Sequence, residues 1–203
     1  MAKTIKNAPK TARKAKKVQT PIKIANYQKL AMKTCLPQCK CWAYAIPELI
    51  SEVCEFFAKH YGFFAKRERG DMGSCPKERF ANHIMALKEI KKELGDIAWS
   101  LALLCEIEKI SFLNKINCAK KQKKSLSDSC PTKLALYIDI NASLREMVSD
   151  RIKRISFIDS GFACFFHYCK EYRFKVSDVL RENIRKLASR QKRGVIKGNG
   201  DNR

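Results

Sequence analysis

The sequence predicts an all-α protein, a bundle of about five to six helices with a four-helix core and a basic N-terminal arm. Three observations carry this. Glycine and proline are scarce, 8 and 6 in 203 residues, so turns are few. The long segments between them repeat apolar residues at helical spacing. No stretch sustains the apolar–polar alternation of a half-buried strand. Apolar residues make up 45% of the chain, enough for the core of one domain.

Residues 1–20 carry Lys3, Lys6, Lys10, Arg13, Lys14, Lys16 and Lys17 and no acid. Such a composition has too little apolar surface to offset ordering entropy, so a disordered arm is expected, with the folded domain spanning 21–203. Helical spacing begins at Ile24 with Tyr27, Leu30, Ala31 and Thr34, and is expected to end near Leu36-Pro37. A second helix is expected from about Ala45 to Tyr61, with Pro47 in its first turn. Its apolar stripe is Leu49, Ile50, Val53, Phe56 and Phe57. KRERGDMGSCP, residues 66–76, reads as a loop, and Ser74 or Pro76 opens a long helix towards Lys109. Gly95 inside that helix costs roughly 1 kcal/mol against alanine, which is understandable if something approaches the backbone there.

Residues 114–133 are polar, basic and aperiodic, and read as a loop. Helical patterning returns over 134–153 and 155–171, and a last helix is expected from Val176-Ser177-Asp178 through Leu187 towards Arg190. The glycine-rich basic end, 193–203, would be ordered only if something holds it. Self-alignment suggests a degenerate duplication. DIAWSLALLCEIEKIS lies on SGFACFFHYCKEYRFK with Cys105 on Cys169, and LISEVCEFF lies on INASLREMV. Ser143 then stands for Glu52, Glu146 for Glu55, and Phe157 and Ser160 for Glu93 and Asp96. Two amphipathic helices also look alike without any duplication.

Two acidic pairs stand out: Glu52 with Glu55, and Glu93 with Asp96, each spaced i, i+3. Residues three apart share a helix face, and the run after Asp96 is apolar nearly all round, so that helix should be buried. Buried carboxylates are costly unless paired or bound to a metal. Two helices presenting four carboxylates inward would form an oxygen cage for a hard cation such as Mg²⁺. The alternative is two solvated helix edges, with Lys88, Lys91 and Lys92 as surface partners. Lys59, one turn after Glu55, is a phosphate contact or a surface lysine. Trp42 and Tyr44 pack the core or stack on a base. His60, His83 and His167 show no metal-like pairing.

The balance of 42 basic and 20 acidic residues gives a net charge of +22, which favours polyanionic partners. The N-terminus has charge but no apolar signal core, and Cys54, Cys105, Cys164 and Cys169 fall in apolar runs where free thiols act as small hydrophobes. A reducing, cytoplasmic location is therefore expected. Cys35, Cys39 and Cys41 hint at zinc, but no second Cys/His pair stands at a familiar spacing. No apolar run reaches the roughly 18–20 residues that cross a membrane.

Three stretches together resemble the MazG-like nucleoside triphosphate pyrophosphohydrolases. Asn26-Tyr27-Gln28 with Ala31 and Thr34 is similar to the family's opening helix. Leu49 to Glu55, followed by Glu93-Leu94-Gly95-Asp96, is similar to its acidic motifs. Asn183-Ile184-Arg185-Lys186-Leu187 with Arg190, Arg193-Gly194, Gly198-Asn199-Gly200-Asp201 and Arg203 is similar to its C-terminal signature. Ser51 and Cys54 replace the small residues, often glycine, of the first motif, and the stretch from Asp96 to Asn183 is longer than in the shortest members.

The resemblance implies an enzyme that splits the α–β phosphoanhydride to nucleoside monophosphate and pyrophosphate. It implies Glu52, Glu55, Glu93 and Asp96 as ligands of Mg²⁺, with Mn²⁺ as a substitute, and Glu52 or Glu55 as the group that orients water. Asn183 would contact sugar or base. Lys186 and Arg190 would neutralise pyrophosphate, and Arg193, Lys197 and Arg203 would close over the phosphates; a basic solvated tail is the alternative. Expected partners are the nucleoside triphosphate, a weak nucleic-acid contact through the arm, and further copies in a homo-oligomer, a dimer or higher. The competing reading is a basic helical nucleic-acid-associated protein on a catalytically weak form of the same fold.

Overall fold

The computed structural model describes residues 23–121 and 149–194, and its described residues are all-α. Six α-helices occur among them: α1 Tyr27–Ala31, α2 Trp42–Glu68, α3 Pro76–Ile107, α4 Phe112–Lys121, α5 Arg151–Glu171 and α6 Val176–Lys192, with no strand. The basic arm 1–20, Lys197, Arg203, Ser143 and Glu146 lie outside the described residues, as does the pairing of LISEVCEFF with INASLREMV. No described helix is long and apolar enough to cross a membrane.

The centre of the fold is α3, which packs against α1, α2, α5 and α6. From Ile90 to Cys105 its sequence is apolar almost all round, and Ile90, Leu94, Ile97, Ala98, Leu101 and Leu104 are all buried. Its first turns differ: Phe80 and Met85 are 70% and 63% exposed, so this half stands outside the core. Against α3, α5 comes close at Gly161, where a Cβ would lie 2.7 Å from Leu101 Cδ2.

Several boundaries differ from the expected ones, and α2 runs on to Glu68 where an end near Tyr61 was expected. The first helix is shorter: α1 stops at Ala31, where the Thr34 hydroxyl donates to the Ala31 carbonyl at 2.7 Å. In α2, helix begins at Trp42, not Ala45, because Trp42 is anchored. Its Nε1 donates to Glu108 at 3.0 Å, and the Arg154 guanidinium lies 5.5 Å from its ring centroid. Pro47 therefore sits past the first turn, and Ala43 lacks the N–H partner that any other residue at 47 would supply. The expected loop at 114–133 begins as α4, whose Phe112 and Ile116 make a narrow buried stripe among polar neighbours. The expected break near residue 154 is absent, since α5 runs unbroken from an Asp150 cap that accepts from the Ile152 and Lys153 N–H groups.

Both α3 and α5 end in the same corner. Ile110 N–H donates to Cys105 C=O at 2.9 Å, and Phe174 N–H donates to Cys169 C=O at 2.7 Å. Lys109 and Arg173 take left-handed backbone, φ 54° and 55°. These are Schellman caps, in which one residue reverses hand so that the last carbonyls find donors. They also align Cys105 with Cys169. The apolar Ile110 and Phe174 then pack on the core and turn the chain into α4 and α6.

The ring of Phe162, 1% exposed, meets that of Phe112 at a centroid distance of 5.0 Å and locks α5 to α4. Phe162→Ala should lower the unfolding free energy in denaturant by about 3–5 kcal/mol. Phe80→Ala, on the exposed half of α3, should change it by less than about 0.5 kcal/mol.

Candidate metal centre

Glu52 of α2 meets Glu93 and Asp96 of α3. Each offers a carboxylate oxygen, and the three oxygens lie within 4.8 Å of one another. Their i, i+3 spacing puts Glu93 and Asp96 on one face. The antiparallel run of α2 brings Glu52 beside Asp96 and Lys59, later in α2, beside Glu93. Of the four acids expected inward, Glu55 is the exception. It is exposed and stands outside the three-oxygen group, since three residues fall about 60° short of a full turn and carry it towards the rim of the face that Glu52 shares with α3.

Glu93 is only 1% exposed, and its carboxylate forms an ion pair with the Lys59 ammonium. Lys59, read from the sequence as a phosphate contact or a surface lysine, is thus the counter-ion of a buried acid. Its ammonium also lies 3.5 Å from Glu89. Asp96 is held from α6: Lys186 donates to Oδ2 at 2.5 Å and Asn183 Nδ2 donates to Oδ1 at 3.0 Å. The Tyr27 hydroxyl of α1 donates to Asn183 Oδ1 at 2.8 Å. Asn183 is therefore buried with both ends of its amide engaged inside the protein, and not turned towards a ligand's sugar or base. Gly95 makes this possible, since a Cβ there would lie 3.0 Å from Asn183 Cβ. The close approach that the sequence suggested at Gly95 is the approach of α6.

Burial, and then the neighbouring Asp96, Glu48, Glu55 and Glu93, push the Glu52 carboxyl up to about 8. Burial raises Asp96 above its ordinary range against the pull of Lys186, and burial lowers Lys186 against the pull of Asp96. In both partners desolvation outweighs their mutual attraction. Tyr27 is raised by burial and by Asp96, so its hydroxyl remains a donor.

Two further residues belong to this neighbourhood. Glu48, one turn before Glu52, is raised chiefly by burial and accepts a hydrogen bond from Tyr44. Its i, i+4 relation to Glu52 was the available signal. The i, i+7 relation of Lys59 to Glu52 was another, but its meaning depends on which helix faces α2. Ser100, one turn past Asp96, is fully buried with no hydrogen-bond partner for its hydroxyl among the described residues.

On α6, Arg190 is half-buried within electrostatic range of both Asp96 and Lys186, while Arg193 is exposed and donates back to Ser189 C=O at 3.4 Å. His60 bonds the Tyr172 hydroxyl at 2.6 Å within a ring cluster that includes Phe56 and Tyr168. His83 packs on Phe63, and His167 pairs with Glu171 at 3.5 Å. None of the three joins the acids. Cys35 and Cys39 are buried and Cys41 is exposed. Burial holds the Cys35 thiol up at about 11, and the three acids are the one group of three or more metal-type side chains converging among the described residues.

The donor set is oxygen alone, from carboxylates on two rigid helices, which suits a hard divalent cation such as Mg²⁺ or Mn²⁺. Octahedral coordination at about 2.1 Å places oxygens roughly 3–4 Å apart, so the three side chains would rotate inward, with Glu93 and Asp96 released from Lys59 and Lys186. Comparison with protein-family models, curated proteins and solved structures gives no match to this chain.

Gly95→Ala should destabilise the fold by about 1–3 kcal/mol in denaturant, because the added methyl drives Asn183 off Asp96. A gain of about 1 kcal/mol, as helix propensity alone would give, would show that α6 yields freely.

Glu52 gives a pH dependence. Its folded-state pKa of about 8 lies above the ordinary 4.5. The folded chain therefore keeps a proton that the unfolded chain loses, and the stability linked to it is full below 4.5 and lost as pH rises through about 8. In chelator, the melting temperature should fall across that window, and Glu52→Gln should flatten the slope.

Proposed function

We propose that this chain is a divalent-cation-dependent nucleoside triphosphate pyrophosphohydrolase of the MazG-like kind. It would cleave the α–β phosphoanhydride to nucleoside monophosphate and pyrophosphate, a reaction of nucleotide-pool housekeeping. The observation that carries the reading is the convergence of Glu52, Glu93 and Asp96 within 4.8 Å, beside the cationic face of α6. The motif resemblance of Glu52 to Glu55, Glu93 to Asp96 and Asn183 to Arg190 supports it independently of that geometry.

Glu52, Glu93 and Asp96 would hold Mg²⁺, or Mn²⁺ in its place. A cation so held would offset carboxylate charge and would supply an acidified water at the site. Glu55, exposed one turn along α2 from Glu52, would take a proton from the attacking water. Asn183 and Tyr27 position Asp96. Lys186 and Arg190, i, i+4 on α6, supply positive charge for the departing pyrophosphate, and Arg193 stands a turn further out. A second reading rests on the charge of +22: a nucleic-acid-associated protein that does not turn nucleotides over.

The test is a panel of nucleoside triphosphates with Mg²⁺, assayed separately for pyrophosphate and orthophosphate. Pyrophosphate release that stops in chelator is expected. Glu93→Gln and Asp96→Asn should each reduce turnover on the order of a hundredfold or more, and Lys186→Ala should reduce it less. Release of orthophosphate, or turnover indifferent to chelator, overturns the reading.

A further inference from the structure

We propose that Lys59 competes with the divalent cation for the Glu93 carboxylate and, once displaced, presents its ammonium to a phosphate of the bound nucleotide. The inference rests on the metal reading above, but it concerns a residue to which that reading gives no part.

The geometry separates Lys59 from the other lysine of the centre. Lys186 is 18% exposed and bonds an acid that Asn183 also holds, so Asp96 keeps a donor whatever Lys186 does. Glu93 is 2% exposed at its side chain, and the cation on it is Lys59, whose own side chain is 35% exposed. The second carboxylate near Lys59, Glu89 at 3.5 Å, lies further out at 54% exposure. Lys59 thus bridges from the interior of the centre to its rim. A lysine ammonium is a compact charge on a flexible stem and leaves a carboxylate without repacking the core.

The energetics give two effects of opposite sign. A carboxylate buried as deeply as Glu93 is strongly destabilising when its partner is removed, so Lys59 supports the fold. The same ion pair must be broken before Glu93 can bind another cation, so Lys59 also weakens cation binding. Displacement leaves an ammonium at the mouth of a site that receives a polyanion, where it is attracted to a phosphate oxygen.

The experiment uses the full chain stripped of metal, with Mn²⁺ as the probe and no nucleotide, followed by calorimetry. Lys59→Met should bind Mn²⁺ about tenfold more tightly than wild type. It should melt lower in chelator and regain more of its melting temperature on adding Mn²⁺. Lys59→Arg, whose guanidinium grips a carboxylate in two places, should bind Mn²⁺ more weakly than wild type. At saturating Mn²⁺, an α,β-methylene nucleoside triphosphate should bind Lys59→Met about tenfold more weakly than wild type. Mn²⁺ affinity unchanged or reduced in Lys59→Met overturns the competition, and unchanged analogue affinity overturns the transfer. If Lys59→Met does not fold, Lys59→Arg decides, and an unchanged Mn²⁺ affinity in it overturns the proposal. Wild-type protein that binds no Mn²⁺ overturns the metal reading itself, an outcome distinct from each of these.

Discussion

Three carboxylates gathered at a helix interface are the constraint on which the rest of this structure depends. Glu52, Glu93 and Asp96 repel one another and lose water on burial, and either effect alone would push the helices apart. The structure answers each acid differently. Glu93 has Lys59; Asp96 has Lys186 and Asn183; burial and the neighbouring acids hold the Glu52 carboxyl up at about 8. The ion pairs are not the source of stability, since desolvation offsets much of their attraction. They are the condition under which apolar packing around α3 can proceed with three acids in its wall.

That packing in turn places the counter-ions. The second half of α3 is surrounded by α1, α2, α5 and α6, so its acids are reached from two helices at once. Lys59 comes from α2 because the antiparallel hairpin puts later α2 residues beside earlier α3 residues. Asn183 and Lys186 come from α6 because Gly95 removes the Cβ that would hold it away. Tyr27 of α1 completes the chain of hydrogen bonds through Asn183. The Schellman corner at Arg173 aims α6 at α3, so a local backbone reversal and the distant partners of Asp96 are linked.

Glu108 is a buried acid held in a different way. It is buried, and the Trp42 indole and the Arg154 guanidinium, at 3.0 and 2.7 Å, join it to the starts of α2 and α5. Both donors bond Oε1, Arg151 lies 3.6 Å from Oε2, and among the described residues no group of acids converges on it. The centre differs in having three acids within 4.8 Å and two lysines with flexible stems. Against a net charge of +22, this is an acidic cluster in a basic molecule.

The sequence by itself determined the helical class, the extents of α3 and α6, the burial of the Asp96 run and the shared face of Glu93 and Asp96. All of these follow from spacing along one helix. It also marked Gly95 as a place of close approach, without saying of what. Tertiary structure alone decided the rest. Only the facing of α2 and α3 shows that Glu52 turns in while Glu55 turns out, although both flank the same apolar stripe. Lys59, whose spacing from the acids of α2 does not say what it faces, becomes the partner of a buried acid through a neighbour 34 residues away. Asn183, whose motif suggested a ligand contact, is turned inward by Tyr27 from the opposite end of the chain. Helical periodicity fixes which residues share a face; which faces meet, and what stands opposite each charge, depends on contacts between distant segments that no local pattern encodes.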